Sequence, residues 1–246
     1  MRPIPAINRS LQIARHFSMS STLRAAKIKR VGPLSPDEAK WTELRKIEWV
    51  DPAGKERVWE AAARKTRKES GIDAVAIAPI IRHPSRAPST LVILQYRPPV
   101  DAICVEFPAG LIDAGETPEQ AAIRELKEET GYEGKVRDIS PILSSQPGMT
   151  NANMQVLDCS PTIVADPGFT NANMQMVTIE VNLKEGDEPP EQHLDDGEYI
   201  ERVNVPLSEL YDKLKALSKE DGKIVDARLF HWALGLHWSR RLNLEG

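Results

Sequence analysis

Residues 110–132 restrict the fold of this chain more than any other stretch. They read Gly-Leu-Ile-Asp-Ala-Gly-Glu-Thr-Pro-Glu-Gln-Ala-Ala-Ile-Arg-Glu-Leu-Lys-Glu-Glu-Thr-Gly-Tyr. A glycine-bearing loop runs into a segment of helix-forming residues over 117–130. Thr117 is placed to cap it, Pro118 suits its first turn and Gly131 stops it. On such a helix Glu125, Glu128 and Glu129 stand at i, i+3 and i+4, so three carboxylates share one face. Like charges at that spacing repel by about 0.2–0.5 kcal/mol per pair, and no row of lysines answers them. A solvated acidic face is the ordinary reading of such a run. Glu116 in the preceding loop and Arg124 beside the cluster favour a built site instead. Carboxylate oxygens in that number suit Mg²⁺ or Mn²⁺, hard ions that bridge phosphate oxygens.

Charge distribution narrows the function further. Up to Pro36 there are seven basic residues and no acidic one, and the remainder holds 25 basic against 36 acidic, a balance of −11. An acidic body does not coat nucleic acid, which needs a basic face. No apolar run approaches the ~18 residues of a membrane span. Two cysteines, Cys104 and Cys159, make no disulfide framework and imply a reducing compartment. Residues 1–30 are Arg-rich, contain Ser and lack acid, the composition of a mitochondrial transit peptide, with a disordered basic tail as the alternative. Initiation at Met19 would remove most of that signal. Mitochondrial and cytoplasmic products of one gene are therefore both expected.

Along the body, residues 43–50 and 55–62 predict a hairpin around Asp51-Pro52-Ala53-Gly54. Apolar, β-branched runs at 74–81 and 90–96 predict buried strands, separated by a polar loop over 83–89. Further strands are expected at 176–181 and 199–205, and closing helices at 206–217 and 226–241. The class is α/β or α+β with a mixed sheet.

Residues 140–159 align with 160–179 at a shift of 20, with ten of twenty positions identical, among them Thr150 to Gln155 against Thr170 to Gln175. Two copies are too few for a solenoid. A tandem duplication explains them better than a specialised insertion.

The residues of the opening stretch match the Nudix hydrolase box, in which Gly110, Glu116, Arg124, Glu125, Glu128, Glu129 and Gly131 fill every fixed position. Tyr132 departs from the usual smaller aliphatic residue, a matter of packing. Seven such identities would arise by chance roughly once in a million at average residue usage. The resemblance runs over about residues 40–240. Trp41, Asp51-Pro52-Ala53-Gly54, Trp59-Glu60, Arg64, Arg67-Lys68, Gln95-Tyr96-Arg97-Pro98-Pro99, Glu106-Phe107-Pro108-Ala109, Asp166-Pro167-Gly168, Asp196-Gly197-Glu198 and Asp226-Ala227-Arg228 look like the ADP-ribose pyrophosphatase branch.

That resemblance implies an α/β Nudix fold, a mixed β-sheet sandwiched between helices. An N-terminal β-region at 38–72 would serve dimerisation and 73–242 would form the hydrolase domain. It implies hydrolysis of ADP-ribose or a related nucleoside diphosphate sugar by a homodimer. Glu125, Glu128 and Glu129 would bind Mg²⁺ or Mn²⁺, helped by the Ala109 carbonyl, with Glu106 as a further candidate. Arg124 would orient the glutamates, and Glu116 would support them or bind metal. Glu198 would be the base, with Glu201 as its competitor and Asp195 and Asp196 nearby. Arg64 and Arg97 would hold the diphosphate, where Arg suits bidentate contact. Trp41 and Trp59 would sandwich adenine across a swapped dimer; without the family they read as core or interface aromatics. Asp166 would face substrate if the second repeat copy holds the native strand, leaving 137–156 as the extra piece. Other nucleoside diphosphate substrates (an ADP-sugar, an oxidised nucleotide, NADH) are the first alternative. A binding form disabled by the insertion is the second.

Overall fold

The computed structural model describes residues 23, 25–65, 72–138, 142–146, 153–155 and 172–242. The predicted hairpin forms a two-stranded antiparallel sheet of its own, β1 (Thr42–Val50) and β2 (Glu56–Arg64), with Thr42 opposite Arg64 and Val50 opposite Glu56. Its turn owes as much to Asp51 as to the proline and glycine. The Asp51 carboxylate accepts from Ala53 N at 3.0 Å and Lys55 N at 2.9 Å, and from Arg57 Nε at 2.9 Å. An aspartate can bond its own backbone in this way and stand in for a turn hydrogen bond.

The body is a mixed sheet around β3 (Ala74–His83) and β4 (Arg86–Arg97), joined by β5 (Ala102–Glu106) and β6 (Ala109–Leu111). Helix α1 (Pro118–Thr130) follows, then β7 (Lys135–Asp138), β8 (Ile142–Gln146), β9 (Asn153–Gln155) and β10 (Ala172–Asn182). The chain closes with β11 (Glu201–Pro206), α2 (Leu210–Leu217), β12 (Lys223–Val225) and α3 (Ala227–Arg241). β10 lies parallel to β3 and β12 parallel to β5, while β4 runs antiparallel to β3, β5 and β11.

Alternation along β3 sets the layers, because successive side chains point to opposite faces. Val75, Ile77 and Ile81 pack with Ala121, Ala122 and Leu126 of α1 and with Val177 and Ile179 of β10. Ala76 and Ala78 face the other way, into Leu210, Leu214, Leu217, Leu229 and Ala233 of α2 and α3. The sheet is thus sandwiched between helices as the resemblance implied. Each of the buried Val, Ile and Leu side chains contributes roughly 1.5–3 kcal/mol. Leu23, inside the basic N-terminal stretch, belongs to the α2/α3 layer of this core at 3% exposure.

Two expectations are corrected. The polar stretch 83–89 is mostly strand: His83 pairs with Arg86 and Ile81 with Ser89, leaving residues 84 and 85 to turn. The helix expected from 206 begins at Leu210, because Pro206 ends β11 opposite Ser89.

The repeat copies part company here. The second supplies β10, whose register on β3 runs from Gln175 opposite Val75 to Asn182 opposite Arg82. Within the described residues, the first contributes β8 and β9, which pair with the start of β10. Met154 lies opposite Ala74, its single register partner on β3. Asp166, Arg67, Lys68 and Cys159 lie outside the described residues.

Candidate active site

The helix that carries the glutamates is fixed by its own sequence. Thr117 accepts from Gln120 N while the Gln120 side chain accepts from Thr117 N, a reciprocal capping box, which supplies about 1 kcal/mol. Small Ala121 and Ala122 let α1 lie close on β3, burying Leu126 and leaving Glu125, Glu128 and Arg124 along the rim. Beneath that rim Gly110 has to be glycine. A Cβ there would fall 1.8 Å from the Glu125 carboxyl carbon.

Arg124 is the hub. Its Nε and Nη2 reach the two Glu116 oxygens at 3.0 Å each, and Nη1 reaches Glu125 Oε1 at 2.8 Å and Glu128 Oε2 at 3.0 Å. Nη2 also bonds the Leu111 carbonyl at 2.9 Å, which ties loop to helix. Glu116 accepts from Asp113 N as well. Burial opposes its charge, but the Arg124 fork and that N–H prevail, and its pKa falls below the ordinary value. Arg124 is correspondingly held in its charged form, chiefly by Glu116.

Glu125 and Glu129 go the other way. Burial pushes Glu125 up to about 7, with Glu128 and Glu198 adding repulsion and Arg124 opposing it. Glu129 is 4% exposed, and burial lifts it to about 9, with Glu125, Glu198 and Glu106 contributing. The Ala109 N–H, 2.9 Å from Oε2, opposes the rise. Glu116, Glu125, Glu128 and Glu129 thus share one arginine, and the two raised carboxyls favour their protonated forms until further positive charge joins them. Among the described residues no three acidic, His or Cys side chains converge into a ready cation cage, since Arg124 stands between Glu125 and Glu128. The donors are hard oxygens short of positive charge, and that chemistry fits a divalent ion.

Neighbouring elements complete the rim. Glu106, at the end of β5, pairs with Arg97 at the end of β4 through Nε–Oε1 at 2.7 Å and Nη2–Oε2 at 3.1 Å. Asp226 caps α3 and grips Arg228, which also reaches Met174 Sδ of β10. Cys104 is a free thiol pushed up to about 11, first by burial and then by Glu106 and Asp226. So raised, it stays protonated and a poor nucleophile.

Glu198 comes to the cluster on the loop between β10 and β11, near enough for its charge to act on both Glu125 and Glu129. Its N–H closes a turn on the Asp195 carbonyl at 3.0 Å, through Gly197 at φ 86°. Glu201 instead starts β11, in register with Leu94.

That loop also finishes α1, whose last four carbonyls have no partner within the helix. Lys127 O takes the Gly131 N–H and Glu128 O the His193 N–H. Glu129 O takes the Gln192 side chain, and Thr130 O takes Arg202. The approach is so close that a Cβ on Gly131 would fall 2.1 Å from the Glu191 carbonyl oxygen, and Gly131 itself sits at φ 74°.

The structure thus gathers Glu106, Ala109, Glu116, Arg124, Glu125, Glu128, Glu129 and Glu198 into one site with Arg97 at its edge. Trp41 and Trp59 lie apart on the hairpin, 66% and 44% exposed in the single chain, and Arg64 ends β2. Sequence reasoning missed the Arg97–Glu106 pairing and Gln192, for which local sequence carries no signal.

The NUDIX domain family matches residues 75–228. An uncharacterized Nudix hydrolase of Schizosaccharomyces pombe is 44% identical over 211 residues, covering 86% of this chain and 93% of that protein. An ADP-ribose pyrophosphatase of Saccharomyces cerevisiae is 38% identical over 211 residues, covering 85% of this chain and 82% of its own. An ADP-sugar pyrophosphatase of Mus musculus is 36% identical over 200 residues, covering 81% and 83%. A glutamate helix locked by Arg124 over Gly110, in a chain so similar to these relatives along most of their length, belongs to the Nudix hydrolase family.

Proposed function

We propose that this protein hydrolyses the diphosphate of ADP-ribose to AMP and ribose 5-phosphate with a divalent cation, Mg²⁺ or Mn²⁺. The observation that carries the reading is the convergence of Glu116, Glu125 and Glu128 on the single Arg124, with Glu129 buried beside them, a set of carboxyls that a bound cation would let ionise together. Relatives named ADP-ribose and ADP-sugar pyrophosphatase support the substrate class, and the mouse relative's name favours a second reading in which other ADP-sugars are accepted.

Glu125, Glu128 and Glu129, with the Ala109 carbonyl and Glu116, would hold the cation. Bound there, it would neutralise the diphosphate and acidify water. Arg124 keeps Glu116, Glu125 and Glu128 in place, and the Ala109 N–H holds Glu129. Arg97 and Arg64 bind phosphate oxygens, Arg97 exchanging its grip on Glu106 for the substrate. Glu198 accepts the proton of the attacking water, and no covalent intermediate is required. Asp166 is assigned to substrate binding.

Trp41 and Trp59 stack on adenine in a homodimer. The hairpin's exposed apolar side chains support this, among them Leu44 at 86%, Ile47, Trp49, Val50 and Val58, since a patch of that kind marks an interface. The basic N-terminal stretch directs part of the product to mitochondria and initiation at Met19 leaves part in the cytoplasm. Mass spectrometry of native N-termini tests that, and an intact Met1 alone would sink it.

The direct test incubates the purified protein with ADP-ribose and Mg²⁺ and separates the products by chromatography. AMP with ribose 5-phosphate, lost on adding EDTA, supports the reading; unchanged ADP-ribose rejects it. Sedimentation at micromolar concentration reads the dimer.

A further inference from the structure

We propose that Gln192 is a positioning residue that clamps the loop bearing Glu198 onto the end of the glutamate helix. The inference rests on the reading of Glu198 as the base. One side-chain amide nitrogen donates twice, to the Glu129 carbonyl at 2.5 Å and to the Ile200 carbonyl at 3.2 Å. An amide NH₂ carries two protons, so the two bonds use its full donating capacity. They also fix which way the amide faces, because the flipped group would set its oxygen against two carbonyl oxygens.

The two acceptors are the base of a loop. Glu129 ends the helix that carries the cluster, and buried Ile200 lies just before β11. Between them the chain leaves the helix end at His193, whose N–H bonds the Glu128 carbonyl at 2.8 Å, and turns at Gly197. Glu198 sits near the tip, with a 3.3 Å bond from Asp195 N to its Oε2. Its side chain is exposed, so nothing packed around it fixes its distance from Glu125 and Glu129. The Gln192 bridge joins both ends of this loop to the backbone of Glu129, a cluster residue itself. A base misplaced by about 1 Å can lose on the order of a hundredfold in rate, so a clamp at this place acts on turnover rather than on substrate affinity.

The test is Gln192→Met, which keeps length and shape and removes both donors. The expected result is a kcat for ADP-ribose about tenfold lower, within that bound, with KM within about twofold. Introduced into Glu198→Gln, the same change should cost nothing further, because coupling through one residue is non-additive. Hydrogen exchange of the His193 and Glu198 amides should quicken while amides inside α1 stay protected. Gln192→Lys, which restores N–H donors at similar reach, should recover kcat, and it carries the test if Gln192→Met does not fold. Unchanged kcat, additive losses with Glu198→Gln, or unchanged exchange in the loop would overturn the clamp. A wild-type protein inert towards ADP-ribose would sink the substrate reading, while the exchange experiment still judges the clamp.

Discussion

The loop that opens the site and the second repeat copy both pair with the first half of β3. β6 runs antiparallel over residues 74–76, and β10 runs parallel from Val75 onward. They are held there by different means. The 110–131 segment is secured from within: Thr117 and Gln120 cap each other, Glu125 lies over Gly110, and Arg124 reaches back to Glu116 and Leu111. The repeat is secured by what comes after it. Met154-Gln155 and Met174-Gln175 are identical, and both methionines fall opposite or in register with Ala74. Only the second copy continues as Met-Val-Thr-Ile-Glu-Val-Asn, an alternating β-branched run whose Val177, Ile179 and Val181 are buried. The first continues as Val-Leu-Asp-Cys-Ser-Pro-Thr. In the β10 register that would set Pro161 at the place of Val181, inside a ladder where proline cannot donate.

The largest expected effect attacks the self-secured region. Glu129→Gln should lower kcat/KM for ADP-ribose by on the order of 10³-fold, the scale of losing one preorganised charge, with the fold retained by circular dichroism. Next, Val177→Asp should cost at least ~4 kcal/mol in urea unfolding, since it buries an unpaired charge between β3 and α1. A well-folded variant would mean that the first copy can take over the slot. Gly110→Ala is intermediate: its Cβ displaces Glu125, and steady-state assays should show about a 10–100-fold loss in kcat with a small change in Tm.

The pH dependence follows from the two raised carboxyls. Glu125 at about 7 and Glu129 at about 9 both lie above their ordinary 4.5. The folded state therefore binds protons more tightly than the unfolded chain, and stability present below pH 4.5 is lost as pH rises through 7 and 9. Thermal melts in EDTA should fall from pH 5 to pH 9, Mg²⁺ should reverse the fall, and Glu129→Gln should flatten it. The smallest effect belongs to the expendable copy. Deleting residues 140–159 should move Tm by no more than about 4 °C, equivalent to ~1 kcal/mol, with hydrolysis intact. An insoluble or inactive product would show that β8 and β9 are needed.

The same division explains what could be read in advance. Helix α1, its four charged site residues and Glu116 in the loop before it were legible, because caps, i/i+3/i+4 spacing and glycine contacts are properties of adjacent residues. The choice of the second copy was legible from the family spacing around Asp166, and the run that follows it supplies the physical reason. β5, β6 and β12 were not foreseen, being three to five residues long and defined by partners elsewhere. Pro206 looked like a helix start and serves as a strand end. The Arg97–Glu106 pair joins two strand ends, and Gln192 finds Glu129 from 63 residues away; neither contact leaves a periodic or compositional trace.

Leu23 bears on how the protein can be handled. Composition invites a cut at residue 31, where the basic stretch gives way to the acidic body. Such a cut would take a leucine out of the core beneath α2 and α3 and forfeit roughly 1.5–3 kcal/mol. A chain begun at Met19 keeps it. One side chain, and not the change of charge along the sequence, marks how far the N-terminus can be shortened.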